Sequence, residues 1–521
     1  MRQPGLPQHP GLGKRPFRPG PAAGRGAARE PPWTKRGASF PSGSGRGGPS
    51  GGRGGPTGDP GRGPGPGGGR GQLHQHLRSP PGGAHGRGDG PGRDLPGRGA
   101  PGSRKKGLRR GFRGNEDRTL PPWRHDRRRG SGLPRHGGRP ERGKSAVKGR
   151  NYKVPSKDYG VQYREILPDI LKEIQGVFLE EDPILGKPVE RFEEEFARWC
   201  GADFAVGVGS GTDAIYLALR GLGIGPGDEV VTSGNTFFAT LTAVHMTGAV
   251  PVLADPDPKT MNLSGRGVLE ALTPRTRAVL AVHLYGLLSP VEEIREICRE
   301  KGLLLVEDAA QAHGARGPGG RRAGAWGEAG CFSFHPSKNL GAFGDGGMVV
   351  TSNPALRRVL LELRNLGKKN KYEVRHVAPN TKLDTLQAAI LSVKLPEVDA
   401  WNARRREIAS YYRKELEGVG DLVLPFDPGE EAHVYHLFVV RTSRRDELRA
   451  RLKKEGINAG VHYPVPPHLQ EMGARIVLPR GGLPVTEELA RTVLSLPVSH
   501  ELRDEQVEYV CARVKAFYRG G

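Results

Sequence analysis

At about residue 151 the chain changes character, and only the stretch beyond it can build a core. Residues 1–150 hold 41 Gly and 23 Pro, with 33 Lys+Arg against 8 Asp+Glu. With so few apolar side chains this segment cannot bury enough surface to offset the entropy of ordering its backbone, and it is expected to be disordered. Its glycines do not fall at every third position, which excludes a collagen helix. The other 371 residues carry 47 basic and 48 acidic side chains, so the overall charge of +24 belongs to the tail and says nothing about what the folded part binds. A chain of that length is enough for one large domain and one small one.

Within the tail, Gly52-Arg53-Gly54-Gly55 and Gly67-Gly68-Gly69-Arg70-Gly71 resemble the Arg-Gly tracts that follow nucleic-acid backbones by charge. The aromatics that would stack on bases, Phe17, Trp33, Phe40, Phe112 and Trp123, are sparse and irregular, so nucleic-acid binding is not the favoured reading. A solvated extension or an overlong gene start is expected instead. Met246 is the first methionine after Met1, so a shorter product would begin at a non-Met codon. The cysteines Cys200, Cys298, Cys331 and Cys511 lie far apart, without the spacing of a disulfide framework or a zinc site. A reducing cytoplasm is the expected location. The basic N-terminus is followed by no apolar stretch of signal-peptide length, and no run of about 18 apolar residues occurs.

From about Tyr152 the texture is that of a globular protein, and from Glu229 short apolar runs alternate with helical patterns in a βαβ rhythm. Glu229 to Thr232, Val250 to Ala254, Ala278 to His283 and Leu303 to Val306 read as strands apolar on both faces, as parallel strands between two helix layers should be. Ala214 to Leu222 and Val291 to Lys301 read as helices. After Gly347 the pattern shifts to a strand at Met348 to Thr351, helices around Leu356 to Leu363, Leu383 to Leu395 and Trp401 to Leu416, a strand at Val434 to Arg441, and helices at Arg445 to Glu455 and Asp504 to Phe517. The expected organisation is a large α/β domain over residues 151–395, its mainly parallel sheet sandwiched by helices, and a smaller α+β domain over 396–521. Ligands belong at the carboxyl ends of such strands.

Three motifs carry chemistry. Gly207-Val208-Gly209-Ser210-Gly211-Thr212-Asp213 stands directly before a helix, where glycines admit an anion and the helix start offers free N–H groups and a positive dipole end. A phosphate is its natural occupant; the alternative is a plain helix cap. In Leu303-Leu304-Leu305-Val306-Glu307-Asp308-Ala309-Ala310-Gln311, an apolar strand delivers Asp308 to its carboxyl end, and a buried carboxylate there calls for a cation such as a protonated pyridine nitrogen. Glu307 points to the other face, and Gln311 can donate to a ring oxygen or merely start a helix. Third, Ser333-Phe334-His335-Pro336-Ser337-Lys338 places a lysine between a short strand and the Gly-rich Gly344-Asp345-Gly346-Gly347. A lone lysine is usually a surface lysine, but one in this company can form a Schiff base with an aldehyde-bearing cofactor, while Ser333 joins the phosphate site. Phe237 is the candidate apolar wall, or simple core packing. Together these parts describe a pyridoxal-phosphate pocket.

The chain from about Tyr152 to Tyr518 resembles the DegT/DnrJ/EryC1/StrS family of sugar aminotransferases, which have the type I aminotransferase fold. The resemblance rests on Gly209-Ser210-Gly211-Thr212-Asp213-Ala214, Thr236-Phe237 with Ala239-Thr240, His283-Leu284-Tyr285-Gly286, Glu307-Asp308-Ala309-Ala310-Gln311 and Lys338-Asn339-Leu340-Gly341. It implies that Lys338 carries the coenzyme and relays the proton, Asp308 pairs with the pyridine nitrogen, and Gln311 contacts the ring hydroxyl. By the same resemblance Ser333, Gly211 and Thr212 hold the phosphate, and Phe237 lies beside the ring. Family members are dimers in which an Asn of the second chain reaches the phosphate. The usual Gly-x-Asn-x-Arg reads here as Ala378-Pro379-Asn380-Thr381-Lys382, which keeps Asn380 and changes its flanks. Relatives with histidine in place of the lysine act as dehydratases, and Lys338 argues against that reaction.

The Lys338 and Gly-rich motifs, Lys371-Tyr372 and His462-Tyr463-Pro464 are most like enzymes that aminate C3 of a nucleotide-linked keto sugar; C4 enzymes more often carry Glu in the Gly-rich turn. The resemblance therefore implies glutamate as amino donor, a keto sugar as acceptor, and Tyr372, His462 and Tyr463 as substrate contacts. The alternatives are a pyridoxal-phosphate dehydratase, a regulator that binds the coenzyme without turnover, and a nucleic-acid or polyanion binder acting through the tail.

Overall fold

The computed structural model describes residues 152–520, apart from 430 and 472–474. The basic tail, and the disorder expected of it, lie outside the described residues. Two helices, α1 (Tyr159–Glu180) and α2 (Lys187–Cys200), precede β1 (Phe204–Val208) and α3 (Gly211–Gly221). The βαβ stretch follows as β2 (Glu229–Ser233), α4 (Phe238–Thr247), β3 (Val250–Ala254), α5 (Gly265–Ala271), β4 (Thr276–Val282), α6 (Val291–Lys301) and β5 (Leu304–Asp308). Then come β6 (Ala329–Ser333), β7 (Gly347–Thr351), α7 (Pro354–Leu363), α8 (Thr385–Lys394) and α9 (Val398–Leu416). The chain ends with β8 (Phe438–Arg441), α10 (Arg445–Lys454), α11 (Pro484–Thr492), β9 (Val493–Leu496) and α12 (Asp504–Tyr518). No described helix is long and apolar enough to cross a membrane.

Seven strands form one sheet in the order β1-β7-β6-β5-β4-β2-β3. The pairings from β3 through β2, β4 and β5 to β6 are parallel, and β7 runs antiparallel to both β6 and β1. Alternation along the strands divides two cores. Val230, Leu280, Val306, Cys331 and Val349 meet α3 on one face. Val231, Val279, Ala281 and Leu305 meet α5 and α6 on the other. Both faces are thus covered, which is why the strands read as continuous apolar runs.

On the second face, towards β6 and β7, Phe192 and Phe196 of α2 close on Phe332 and Phe334, with ring centroids 5.0 to 5.4 Å apart in edge-on contacts. This cluster pins the strand that leads into the Lys338 turn. A separate core joins α9, α10 and α12 to the two-stranded sheet of β8 and β9, around Tyr412, Phe438, Leu448, Leu494 and Val510.

Where the elements differ from expectation, local backbone explains it. The strand expected from Val434 begins at Phe438, because Tyr435 has φ 42° and the N–H groups of Val434 and Leu437 bond to Gly286 and Tyr285. The helix expected from Trp401 starts at Val398, continuing a 3-10 turn at Leu395–Glu397.

Candidate active site

Parity along the strands decides which side chains meet. Asp308 ends β5 in phase with Val306, and Ser333 ends β6 in phase with Cys331, so both face α3. Glu307 faces the opposite way, as expected. It is fully buried, accepts the N–H groups of Gly324, Trp326 and Gly327, and lies 3.0 Å from His283 Nε2. Its charge is taken up structurally.

The Asp308 carboxylate, 6% exposed, accepts the Thr240 hydroxyl at 2.8 Å on Oδ2 and the Ala310 N–H at 3.2 Å on Oδ1. Thr240 is in turn 2.9 Å from the Thr236 hydroxyl one helical turn earlier. Burial pushes the Asp308 pKa up, against the Thr240 and Ala310 hydrogen bonds and the charges of Lys338 and His283. The site therefore holds a carboxylate whose charge needs a cationic partner.

Lys338 sits in a turn after β6 that several bonds fix. Phe334 N–H donates to Gly346, Lys338 N–H to His335, and Ala342 N–H to Phe334. A Cβ at Gly341 would stand 2.6 Å from the Pro336 carbonyl oxygen, so glycine is required there. Neighbouring Asn339 is buried and donates to Asn402 Oδ1 and the Val434 carbonyl. Burial lowers the Lys338 pKa to about 8, with Asp308 pulling the other way. An amine poised there is partly neutral near pH 7 to 8, as a nucleophile or proton shuttle needs to be.

The third component is the start of α3. Ser210 caps it, accepting the Asp213 N–H on its side chain, which leaves the N–H groups of Gly211 and Thr212 ahead of the cap. A Cβ at Gly211 would lie 2.6 Å from Ser333 Cβ, and one at Gly347 would overlap the Ser210 carbonyl oxygen. Glycine at both positions lets the positive helix end sit directly against Ser333 on β6, a cradle for an anion.

Gln311 holds the remaining side, with its Oε1 taking the Tyr285 N–H at 2.7 Å and its Nε2 donating to Tyr463 OH at 3.1 Å. Burial raises the Tyr463 pKa to about 12 and lowers that of His462 to about 4, so both are neutral at physiological pH. His462 Nδ1 is held 2.8 Å from the Ser495 hydroxyl. Phe237, at the N-cap of α4, has its ring centroid 5.3 Å from that of Tyr463.

Gly211, Thr212, Phe237, Asp308, Gln311, Ser333, Lys338, His462 and Tyr463 all line one cavity of about 350 Å³. The cavity can accept an anion at one end and a flat cationic ring beside Asp308, within reach of an amine. Two expected site residues are not brought to it. Asn380 pairs across with Asn365 and accepts from Lys382 Nζ, and Tyr372 is 86% exposed; both lie on the segment between α7 and α8. Two residues with evident roles receive none from the sequence, although Thr240 lies in one of the motifs that carry the resemblance. Thr240 supports Asp308, and Lys157 Nζ donates to the carbonyls of Lys338 at 2.7 Å and Pro336 at 3.2 Å.

The family model for DegT/DnrJ/EryC1/StrS aminotransferases matches residues 165–515. The chain belongs to that family. It is 46% identical over 363 residues to the dTDP-3-amino-3,4,6-trideoxy-alpha-D-glucose transaminase of Streptomyces venezuelae, covering 70% of this chain and 96% of that one. Among solved structures, S. venezuelae DesV in complex with a ketimine intermediate is 46% identical, with a TM-score of 0.68 over 70% of this chain and 98% of its own. Bacillus subtilis ntda with bound cofactor PMP is 29% identical, with a TM-score of 0.64 over 71% and 86% of the two chains. The family has the type I fold read from the sequence, and the chain is a pyridoxal-phosphate-dependent aminotransferase.

Proposed function

We propose that this aminotransferase moves an amino group from L-glutamate to C3 of a nucleotide-linked keto sugar, working as a homodimer. The observation that carries the reading is the junction of a buried carboxylate, a buried lysine with lowered pKa and an anion cradle in one cavity. These residues fit pyridoxal phosphate: the Gly211 and Ser333 contact leaves room for a phosphate at the helix start, and Asp308 needs the cation that a protonated pyridine nitrogen provides. When bound, that group supplies an electron sink next to the reacting carbon.

In this reading Asp308 holds the proton on the ring nitrogen, kept in register by the Thr240 hydroxyl. Gly211, Thr212 and Ser333 bind the phosphate, Phe237 covers a ring face, and Gln311 turns its amide to the ring hydroxyl. Lys338 would hold the coenzyme and, as the buried amine beside it, would carry the proton that leaves the donor α-carbon. With one water taken up the donor would leave as its 2-oxo acid, and the keto sugar, giving up one water in return, would leave as an amino sugar. His462 and Tyr463 contact the sugar, while Asn380 and Tyr372 act from a second copy of the chain. A second copy is supported by the large apolar side chains of Phe178, Leu179 and Phe343, each 70% or more exposed in one chain.

The C3 position is supported by the 46% identical relative, which is named for a 3-amino sugar, and by Asp345 in the Gly-rich turn. The test is to incubate purified protein with L-glutamate and a panel of 3-keto and 4-keto nucleotide sugars, following 2-oxoglutarate and aminated sugar. Amination of the 3-keto members is expected. Preferential amination at C4 would overturn the position, and loss of a hydroxyl without nitrogen incorporation would overturn the reaction.

A further inference from the structure

Beside the catalytic cavity lies a second hollow, of about 300 Å³. Ser337, His436, Leu437 and His462 line both, so the two adjoin. The second is set off by its charge. Lys157 and Arg405 line it, and Lys394 stands close enough to bear on Lys157 electrostatically.

Three cations so close together, two of them fully buried, ordinarily come with carboxylates. Here they do not. Lys157 donates to two backbone carbonyls, Lys394 to Gln162, Tyr163 and the Gly341 carbonyl, and Arg405 Nη1 to the carbonyls of Tyr435 and Val498. Every acceptor is neutral. Glu501 is the one described carboxylate whose field bears on all three, and neither of its oxygens makes a hydrogen bond to any of them. Arg405, 1% exposed, is left with Nε and Nη2 lacking any acceptor among the described residues. The Lys157 ammonium has three donors and uses two. Glu501 thus offsets the charge of the cluster without bonding it, and because unmet donors on buried charges cost more than met ones, Arg405 and Lys157 keep donors open to a further anion in the hollow.

We propose that this hollow is the carboxylate subsite for the amino-acid donor, with Lys157 as the direct contact and Arg405 as the buried charge behind it. The proposal rests on the transamination reading above. Lys157 links the two sites physically, because the ammonium that would meet the carboxylate also holds the backbone carbonyl of Lys338 at 2.7 Å. A carboxylate held there lies next to the cavity that Lys338 lines, on the side where the donor α-carbon must meet the amine.

The experiment uses the coenzyme-loaded protein and two variants: Lys157→Gln, which keeps a donor to the carbonyls but removes the charge, and Arg405→Lys, which keeps the charge but removes the fork. Single-turnover absorbance gives the half-saturating L-glutamate concentration of the donor half-reaction, and a separate run gives that of the keto sugar. Calorimetric binding of glutarate, a dicarboxylate without an amine, reads the subsite without chemistry. The expected result is a roughly ten- to hundredfold rise for L-glutamate and glutarate in both variants, with the sugar within about threefold of wild type. Unchanged glutamate saturation overturns the subsite. A rise for the sugar alone assigns the cluster to the diphosphate, and an equal rise for both substrates marks a structural role; either also overturns it. Failure of the wild-type protein to react with L-glutamate at all is a different outcome, which sinks the transamination reading and not the variant comparison.

Discussion

The lysine at the centre of the site is governed by two opposed effects, and the larger one sets its pH behaviour. Burial disfavours the ammonium, Asp308 favours it, and the pKa settles at about 8 in the unliganded chain. The neutral amine is the form that attacks an aldehyde, and its fraction grows about tenfold per pH unit below that value. Capture of pyridoxal phosphate by coenzyme-free protein should therefore speed up from pH 6 to 8 and level off above, followed by stopped-flow absorbance; a rate flat over that range would contradict the lowered value. Lys338→Ala should cut turnover by at least about 10²- to 10⁴-fold, since it removes the acid/base of both half-reactions. Thr240→Val keeps the volume but removes the hydroxyl donated to Asp308. A hydrogen bond to a charged group is worth about 1.5 to 3 kcal/mol, so coenzyme affinity in a titration should fall roughly ten- to hundredfold. At this scale the sequence is informative wherever local spacing implies placement. Asp308 closing an apolar run and Lys338 between a strand and glycines can be read directly. The roles of Thr240, though it stands in a family motif, and of Lys157 cannot, because their partners lie 68 and 181 positions away and only the fold brings them together.

Elements are legible in proportion to the regularity of their burial. β2 to β5 lie between two helix layers and announce themselves as apolar runs, whereas β9 is four residues that follow α11 without a turn. β8 is shorter than its apolar run suggests because Val434 and Leu437 spend their N–H groups on the loop around Tyr285 and Gly286 instead of on a ladder. The contact between α3 and β6 has the clearest functional consequence. It depends on there being no side chain at Gly211, where a Cβ would overlap Ser333 Cβ at 2.6 Å. Gly211→Ala must push the helix start away from the strand end, opening the anion cradle while leaving Lys338 and Asp308 on their own supports. Binding of pyridoxal phosphate is then expected to weaken by at least about tenfold, while that of pyridoxal, which lacks the phosphate, changes far less. Equal losses for the two ligands would mean that the helix start is not where the phosphate binds.

For the whole molecule the question is how the charged tail relates to the enzyme. The family match runs over residues 165–515, and about 70% of the chain accounts for 96% of a 46% identical transaminase. Every residue given a role above lies after position 150, in a part whose 47 basic and 48 acidic side chains nearly cancel. None of the residues named for the cavity or for the cluster around Arg405 belongs to the tail, while the tail supplies the whole excess of positive charge. Charge of that kind acts on polyanions through counterion release, which is steeply salt-dependent, and a chemical step inside a buried cavity is far less so. Removing residues 1–150 should accordingly leave transamination per active site within about twofold of the full chain. Retention on a heparin column at low salt should be lost in the same variant. If the shortened protein kept its retention, the basic segment would not be its source; if it lost transamination while still folded and loaded with coenzyme, the tail would belong to the catalytic unit after all.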